Sequence, residues 1–353
     1  MQSIHGGDIY RNNVRLDFSV NVNPLGIPKE VEEVLHQAVK QCNRYPDIQY
    51  RELQEAVAKE YKISKEYLSF GNGASEIFMG IVHALKPKTV LLPIPSFYGY
   101  EYVVQAVESE IKYISLKKEN DFCPKEELLE ALTEEIDLLF LANPNNPTGK
   151  RIERQYLEQV LTICRDKNIY VVLDECFIPF CEGKVSCVPE LETYPNLLLV
   201  QAFTKIYAIP GVRLGFLMSS NKELVQKIGK QLPEWNLSVF AQKAGVACIR
   251  QKDYVKKTRE YVRKERRFLT DSLKQMGILV YSGEGNFILL YTELPLYELL
   301  LKKGILIRDC QNFKGLSKEY YRIAVKKRDE NKILLKEIGE CIAQNRTFIA
   351  GGN

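Results

Sequence analysis

The chain has 353 residues, of which 27% are charged, and a formal net charge of +4 at pH 7, so it can form one or two domains and its charge does not indicate a dedicated nucleic-acid surface. No apolar run approaches the ~20 residues of a membrane span, and the N-terminus lacks the apolar core of a signal peptide, so we expect a cytoplasmic protein without membrane contact. Nine scattered cysteines without a Cys-x-x-Cys pair predict reduced thiols, and three histidines far apart argue against a metal site.

The first part of the chain predicts an irregular arm followed by two helices. Glycines and prolines interrupt residues 1–27, which is typical of a segment without regular structure. A helix begins at Pro28, a favoured first-turn residue, and its apolar positions recur at helical spacing. Residues 43–47 interrupt this pattern, and a second amphipathic helix follows them.

A glycine-rich turn precedes the next helix. Residues 70–76 read Phe-Gly-Asn-Gly-Ala-Ser-Glu and run into a helical stretch over 77–85. Free amides and the dipole at such a helix start favour an anion, although a plain helix cap is an equally good interpretation. The turn is not a Gly-x-Gly-x-x-Gly motif after a strand, so dinucleotide binding is disfavoured.

Between residues 89 and 203, strand patterns alternate with helix patterns. Strands are predicted over 89–92, 111–114, 137–142, 169–173 and 197–203, and helices over 125–132 and 153–167. Near-continuous apolar strands between helices are typical of a mostly parallel sheet that is covered on both faces. We therefore expect an α/β fold for a large domain over residues 28–245.

The last part of the chain, residues 246–353, predicts a smaller α+β domain. A helix over 254–275 is rich in lysine and arginine, but glutamates are interleaved and an apolar stripe runs along it, so we expect a solvated face rather than a nucleic-acid surface. Short strands are predicted over 277–280, 286–290, 305–307 and 320–325, and helices near 295–303 and 329–344. No flexible linker separates the two domains, and we expect them to pack closely.

Lys205 is the centre of the most informative stretch of the sequence. It follows the apolar run 197–203, so it is expected at the carboxyl end of a buried strand, where open α/β sheets place their ligands. A lysine held there can form an imine with a carbonyl cofactor, and Thr204 and Arg213 can hold the phosphate of that cofactor. A surface lysine in a loop is the alternative, and only partners elsewhere in the chain decide between the two.

Several separated blocks of the sequence supply such partners. They are Asn72-Gly-Ala-Ser-Glu76, Pro95-Ser-Phe97, Asn143-Pro-Asn-Asn-Pro-Thr-Gly149, Asp174-Glu175, Thr204-Lys205 and Pro210-Gly-Val-Arg213. In their order and spacing the chain resembles the fold-type I pyridoxal-phosphate enzymes, in the branch of histidinol-phosphate aminotransferase, over nearly its whole length. The resemblance implies pyridoxal 5'-phosphate as cofactor, bound by the large domain.

The same resemblance implies roles for four residues around the cofactor ring. Lys205 would be the Schiff-base lysine and a proton shuttle, and Asp174 would keep the pyridine nitrogen protonated, which deepens the electron sink. Asn146 would bond the phenolic oxygen and Phe97 would stack on the ring. The last three also have a plainer interpretation: Asp174 as a turn or capping aspartate, Asn146 as a turn former, and Phe97 as an aromatic side chain in the core.

The resemblance further implies a phosphate site and a subunit contact. The cofactor phosphate would be held by Gly73, Ala74, Ser75, Thr204 and Arg213. Tyr45, in Arg-Tyr-Pro-Asp, resembles a tyrosine that reaches the phosphate in the neighbouring subunit, which implies a homodimer.

Arg322 and Phe177 bear on the substrate and on the reaction. Arg322 lies in a strand-like run, where an arginine is costly unless it is paired, and it matches the family arginine that binds the substrate α-carboxylate in a fork. The alternative is an edge-strand arginine that faces solvent. Phe177 stands where many aminotransferases of this branch have a tyrosine that bonds the phenolic oxygen, which puts plain transamination in doubt.

Three further stretches resemble the threonine-phosphate decarboxylase branch, which belongs to cobalamin biosynthesis. They are His5-Gly-Gly7, Asp17-Phe-Ser-Val-Asn-Val-Asn-Pro-Leu-Gly26 and Ile307-Arg-Asp-Cys-Gln-Asn-Phe-Lys-Gly-Leu316. A small phosphorylated amino acid is the implied substrate, and the candidates for binding its phosphate or carboxylate are His5, Asn21, Arg308 and Lys314. A mobile arm is an equally good interpretation for His5, and Lys314 can be a plain surface lysine.

Three hypotheses for the function follow. The first is decarboxylation of an O-phospho-amino acid, the second is transamination of the histidinol-phosphate type, and the third is a catalytically silent homologue that serves as a binding module. The bond held perpendicular to the cofactor ring is the one that breaks, and the sequence does not give that angle. The intact set of Asn146, Asp174, Lys205 and Arg213 argues against the third hypothesis.

Overall fold

A computed structural model describes the backbone of residues 5–183 and 185–350 and the side chains of these residues up to 344. The strands are β1 Leu16–Asp17, β2 Leu68–Gly71, β3 Thr89–Ile94, β4 Glu110–Ser115, β5 Leu138–Ala142, β6 Tyr170–Asp174, β7 Leu197–Ala202, β8 Gly215–Met218, β9 Leu279–Tyr281, β10 Phe287–Tyr291, β11 Ile305–Leu306, β12 Arg308–Asp309 and β13 Tyr320–Ala324. The helices are α1 Lys29–Ala38, α2 Arg51–Tyr61, α3 Ala74–Leu85, α4 Tyr98–Gln105, α5 Glu126–Ala131, α6 Arg154–Asp166, α7 Phe203–Ile206, α8 Lys222–Gly229, α9 Val239–Ile249, α10 Lys252–Gln275, α11 Leu296–Lys302 and α12 Arg328–Ala350.

A seven-stranded sheet forms the centre of the molecule, in the order β2-β8-β7-β6-β5-β3-β4. Neighbouring strands from β4 to β7 are parallel, whereas β8 runs antiparallel to both of its neighbours, β2 and β7. The predicted mostly parallel α/β sheet is therefore confirmed. The strand limits predicted for this sheet lie within two residues of the observed ones. Strand ends are the least certain part of a sequence pattern.

Helices cover both faces of this sheet, which explains why its strands are apolar throughout. In β5, Leu138 and Phe140 pack in one apolar cluster with α3, α4 and α8, whereas Leu139 and Leu141 belong to the cluster that includes α6. Successive side chains of a strand point to opposite faces, so a strand that is buried on both faces needs an unbroken apolar run.

A second, four-stranded sheet has the order β12-β13-β10-β9 and is antiparallel throughout. Its strand β13 is entirely buried, and Arg322 in that strand lies opposite Arg308 of β12. The α+β character predicted for the end of the chain is present here. The domain boundaries themselves stay a prediction.

The arm before α1 is less irregular than the sequence predicts. Strand β1 pairs in parallel with β11, and the next residue, Phe18, donates its N–H to Leu306 O at 2.7 Å and accepts from Ala324 N. A two-residue strand has no detectable periodicity, so only its distant partners define it. Residues 1–4, which belong to the predicted arm, lie outside the described part of the chain.

The charged helix α10 turns an apolar stripe inward, as predicted. Val262, Leu269 and Leu273 are buried, whereas most of its lysines and arginines are exposed. Arg259 and Arg266 differ, since each donates to main-chain carbonyls of the loops beneath the helix. None of the described helices combines the length and the apolar character needed to cross a membrane.

Candidate active site

A cavity of about 310 Å³ opens at the carboxyl edge of the central sheet. Most of the residues predicted for the site line it: His5, Asn21, Ala74, Ser75, Phe97, Asn146, Asp174, Thr204, Lys205, Arg213, Arg308 and Arg322. The strands and turns that carry them come from distant parts of the chain, and they meet here because parallel strands end at a common edge.

Lys205 lies just beyond the end of β7, in the four-residue helix α7. Burial lowers the pKa of its ammonium group to about 8, and the nearby positive charge of Arg322 adds to the shift. A lysine with a lowered pKa has far more neutral amine at neutral pH than an exposed one, and the neutral amine is the nucleophile.

Asp174 is the last residue of β6, and two donors hold its carboxylate. The hydroxyl of Tyr100 donates to Oδ2 at 2.6 Å, and the N–H of Cys176 donates to Oδ1 at 2.8 Å. Burial raises the pKa of Asp174, and the hydrogen bonds from Cys176 and Tyr100 oppose that shift. The carboxylate is thus fixed in direction, and a positive group on its cavity side would be stabilised.

Tyr100 was not predicted from the sequence as part of the site. It is fully buried in α4, its ring stacks on Phe140 at 5.1 Å, and it meets Phe97 edge-on at 5.5 Å. A tyrosine among aromatic residues looks like core, and only the partner of its hydroxyl distinguishes it.

The start of α3 and the turn before β8 form a cradle for an anion. Gly73 caps α3 with φ of 80°, and Ala74 and Ser75 form its first turn. A Cβ on Gly73 would lie 2.5 Å from Arg213 Nη2, and Arg213 itself donates to the carbonyl of Asn72 at 3.1 Å. Free amides at a helix start beside a guanidinium are suited to a phosphate group, so the cradle fits the predicted cofactor.

Arg322 is buried at the floor of the cavity with 6% of its surface exposed, so the solvent-facing alternative is wrong. It donates through Nη1 to Asn146 Oδ1 and through Nη2 to Ser19 O at 2.8 Å. Its Nε has no partner among the described residues. Burial lowers its pKa to about 10, and its charge remains at neutral pH.

A second buried guanidinium, that of Arg308, lines the same cavity. It donates to Asp309 O and to Asn312 Oδ1, both at 2.6 Å, and lies over the ring of Phe313 at 5.0 Å. Besides Arg213 in the phosphate cradle, the cavity therefore presents two buried guanidinium groups fixed by the protein, which suit a ligand with two anionic groups.

His5 and Asn21 come to the cavity from the N-terminal arm. The imidazole of His5 lies 5.9 Å from the ring of Phe97, and burial together with the charge of Arg308 lowers its pKa. Asn21 is buried, and its Oδ1 accepts no hydrogen bond from the described residues. That oxygen is available to a donor on a ligand.

Three predicted residues are not part of the cavity lining: Gly73, which lies behind it at the start of α3, Lys314 and Tyr45. The ammonium of Lys314 pairs with Glu101 at 3.0 Å and donates to the hydroxyl of Tyr113 at 2.7 Å, so it is engaged at the surface. Tyr45 is 81% exposed, with its ring 5.1 Å from that of Trp235.

Phe177 lines the cavity and packs edge-on against Phe287 at 4.9 Å. It offers no hydroxyl at this position. Further lining residues that the sequence did not identify include Ser19, Tyr98, Cys176 and Phe313.

Comparisons with known proteins agree with this geometry. The family model "Aminotransferase class I and II" matches residues 14–338. The chain is 34% identical over 345 residues to threonine-phosphate decarboxylase of Salmonella typhimurium, covering 94% of this chain and 95% of that one.

Two solved structures are also similar. Histidinol-phosphate aminotransferase from Clostridium acetobutylicum superposes with a TM-score of 0.88 at 31% identity, covering 93% of this chain and 99% of that chain. L-threonine-O-3-phosphate decarboxylase from Porphyromonas gingivalis superposes with a TM-score of 0.82 at 25% identity, covering 95% and 99%.

Proposed function

The chain belongs to the class I and II aminotransferase family of fold-type I pyridoxal-phosphate enzymes, and on that premise we propose that it decarboxylates an O-phospho-amino acid. The substrate would be threonine O-3-phosphate and the product 1-aminopropan-2-ol O-phosphate, a step of cobalamin biosynthesis. The observation that carries the proposal is the pair of buried guanidinium groups, Arg308 and Arg322, in the cavity that contains Lys205. A substrate with both a carboxylate and a phosphate needs two such groups.

The residues of the cavity divide into a cofactor set and a substrate set. Asp174 would hold the pyridine nitrogen, Asn146 the phenolic oxygen and Phe97 one face of the ring. Gly73, Ala74, Ser75, Thr204 and Arg213 form the phosphate set. When bound, the cofactor withdraws electrons from bonds at the substrate α-carbon.

Arg322 and Arg308 would orient the substrate. The fork of Arg322 would take the carboxylate, and Arg308, with His5 and Asn21, would take the phosphate. Anchoring both ends fixes which bond at the α-carbon stands perpendicular to the cofactor ring. Decarboxylation requires the bond to the carboxylate carbon to stand there.

Lys205 would then supply the proton. In the overall change, the bond from the α-carbon to the carboxylate carbon breaks, carbon dioxide leaves, and one proton is added at the α-carbon. Lys205 Nζ is the cavity group whose lowered pKa, about 8, suits both taking up and giving a proton near neutral pH.

Sequence and structure comparisons favour two relatives of different activity. The identity to a threonine-phosphate decarboxylase and the absence of a hydroxyl at Phe177 support decarboxylation. The superposition on a histidinol-phosphate aminotransferase, with a TM-score of 0.88, supports transamination as the second candidate.

A product analysis tests the proposal. The purified holoenzyme is incubated with threonine O-3-phosphate, with and without 2-oxoglutarate. We expect carbon dioxide and the amino-alcohol phosphate in both tubes, and no keto acid derived from threonine O-3-phosphate in either. Glutamate that appears only with 2-oxoglutarate would overturn decarboxylation in favour of transamination, and histidinol phosphate would be tried next.

The Lys205→Ala variant is the companion measurement. We expect loss of covalently bound cofactor and of turnover, because no other lysine lines the cavity among the described residues. Retained turnover would contradict the role given to Lys205.

A further inference from the structure

The helical turn that carries Lys205 is too short to be stabilised by its own main-chain hydrogen bonds alone. Helix α7 has only four residues, so its last carbonyl groups find few donors within the helix. The carbonyl of Lys205 accepts from Ala208 N at a long 3.3 Å. Ala208 has φ of 55°, a left-handed conformation that a non-glycine residue adopts only when its surroundings impose it.

Asn23, from the N-terminal arm, supplies further donors to the end of this turn. Its main-chain N–H donates to Lys205 O at 3.1 Å, and its side-chain Nδ2 donates to Ile206 O at 2.6 Å. One residue, far away in sequence, thus caps two consecutive carbonyl groups at the end of the turn. A cap of this kind normally comes from the residues that follow the helix.

The amide of Asn23 is itself fixed on every side. Its Oδ1 accepts from Leu25 N at 3.0 Å, and the second hydrogen of Nδ2 is directed to Thr258 Oγ1 at 2.8 Å. Asn23 is 3% exposed, and Thr258, in helix α10, is fully buried. Both hydrogens of the Asn23 amide are therefore used in hydrogen bonds, and these bonds fix the orientation of the side chain.

We propose that Asn23 and Thr258 are positioning residues for Lys205. They hold the end of the α7 turn so that Lys205 Nζ reaches both the cofactor and the substrate α-carbon. The inference rests on the proposed role of Lys205. It also connects three segments, because the arm, the turn after β7 and helix α10 meet at this one amide.

Four variants of the holoenzyme test the proposal. Asn23→Ala removes the side-chain cap. Thr258→Val removes the hydroxyl that accepts from Asn23 Nδ2, at nearly constant volume, whereas Thr258→Ser keeps that hydroxyl. The matched control is Asn196→Ala, since Asn196 also donates through Nδ2 to a main-chain carbonyl, that of Ile169 at 2.7 Å, outside the cavity.

Three quantities are measured for each variant. They are the dissociation constant for pyridoxal 5'-phosphate, the pH midpoint of the absorbance band of the bound cofactor, and the melting temperature. Borohydride reduction followed by peptide mapping shows which lysine carries the cofactor.

We expect Asn23→Ala to weaken cofactor binding about tenfold and to shift the pH midpoint, because a hydrogen bond of this kind contributes about one factor of ten. Thr258→Val should act in the same direction by a smaller factor, and Thr258→Ser should return both values toward those of the unaltered protein. Asn196→Ala should lower only the melting temperature.

The proposal is wrong if Thr258→Val or a folded Asn23→Ala lowers the melting temperature as Asn196→Ala does but leaves the pH midpoint and the cofactor affinity unchanged. If Asn23→Ala does not fold, the comparison of Thr258→Val with Thr258→Ser tests the proposal. Failure of the proposed function looks different: borohydride would then fix the cofactor of the unaltered protein to a lysine other than Lys205.

Discussion

The main-chain carbonyl of Ser19 lies 2.8 Å from Nη2 of Arg322, although 303 residues separate the two in sequence. With Asn146 Oδ1 on Nη1, this carbonyl sets the plane of the guanidinium. The hydroxyl of the same Ser19 accepts from Gly7 N at 2.7 Å. The position of Gly7 at the start of the N-terminal arm and the orientation of Arg322 therefore both depend on Ser19.

We expect Arg322→Lys to raise KM for the amino-acid substrate about 10- to 100-fold, because the charge stays but the planar fork is lost. Binding of the amine product, which lacks the carboxylate, should change little. Steady-state kinetics and a binding titration with the product measure the two effects. Arg259→Lys is the matched control, since Arg259 also donates to a main-chain carbonyl, that of Pro179 at 2.7 Å. Equal losses for substrate and product would contradict carboxylate binding by Arg322.

We expect Gly6→Ala to loosen the arm, because a Cβ there would lie 2.4 Å from Ser19 O. Relieving such an overlap costs about 1–3 kcal/mol in a packed site. Because the carbonyl of Ser19 also orients Arg322, KM should rise about tenfold or more. Tryptic cleavage after Arg11 should also become faster. Gly339→Ala serves as control, since the nearest atom to its Cβ would be 4.0 Å away. An arm that stays protected in Gly6→Ala would show that the contact is dispensable.

Tyr100→Phe should weaken retention of the cofactor about tenfold, since a hydrogen bond to a charged group contributes ~1.5–3 kcal/mol. The loss of the hydroxyl removes one of the interactions that lower the pKa of Asp174, so that pKa should rise further. Dialysis against buffer and the remaining absorbance of the bound cofactor give the measurement. Tyr156→Phe, which loses a hydroxyl bonded to Lys125 O, is the control. If both variants retain the cofactor equally, the Tyr100 hydroxyl has no part in the site.

Sequence reasoning could locate Lys205 and Asp174 because each lies at or just beyond the carboxyl end of an apolar strand, and the ends of neighbouring parallel strands meet. It could not find Ser19, whose contact to Arg322 uses a main-chain carbonyl that every residue has. Asn23 stood in a recognised stretch, but its partners, Ile206 and Thr258, lie more than 180 residues away.

The central sheet was predictable because its buried strands form long apolar runs, and the prediction failed for a strand that lacks such a run. Strands buried on both faces leave long apolar runs, whereas β2, with four residues, leaves almost none. Lys314 was predicted as a substrate contact from its place in a recognised stretch. Its actual partners, Glu101 and Tyr113, lie on α4 and β4, and nothing in the local sequence indicates that these elements are adjacent.

The lowered pKa of Lys205 gives a prediction for the pH dependence of cofactor capture. Only the neutral amine reacts, and its pKa is about 8. The capture rate of cofactor-free protein should therefore rise about tenfold per pH unit below pH 8 and level off above it. Replacing Arg322 by Met removes a positive charge that lowers this pKa, so the plateau should move to higher pH. Stopped-flow absorbance gives the rate, and a rise that continues to pH 10 in the unaltered protein would contradict the buried setting of Lys205.

The exposed position of Tyr45 leads to a prediction about subunits. If Tyr45 of one chain completes the site of another, each site takes Lys205 from one chain and Tyr45 from its partner. The Tyr45→Ala and Lys205→Ala variants then each lack one of these two contributions. Mixing them under conditions that exchange subunits forms mixed dimers in which one of the two sites has both residues. Since half of the randomly formed dimers are mixed, about a quarter of the full activity should return. The measurement is activity against mixing time. A mixture of the Tyr45→Ala and Arg322→Lys variants is the control, because it must also regain activity if Tyr45 acts across the interface. Complementation that never exceeds the sum of the separate variants would assign Tyr45 to its own chain or to no site at all.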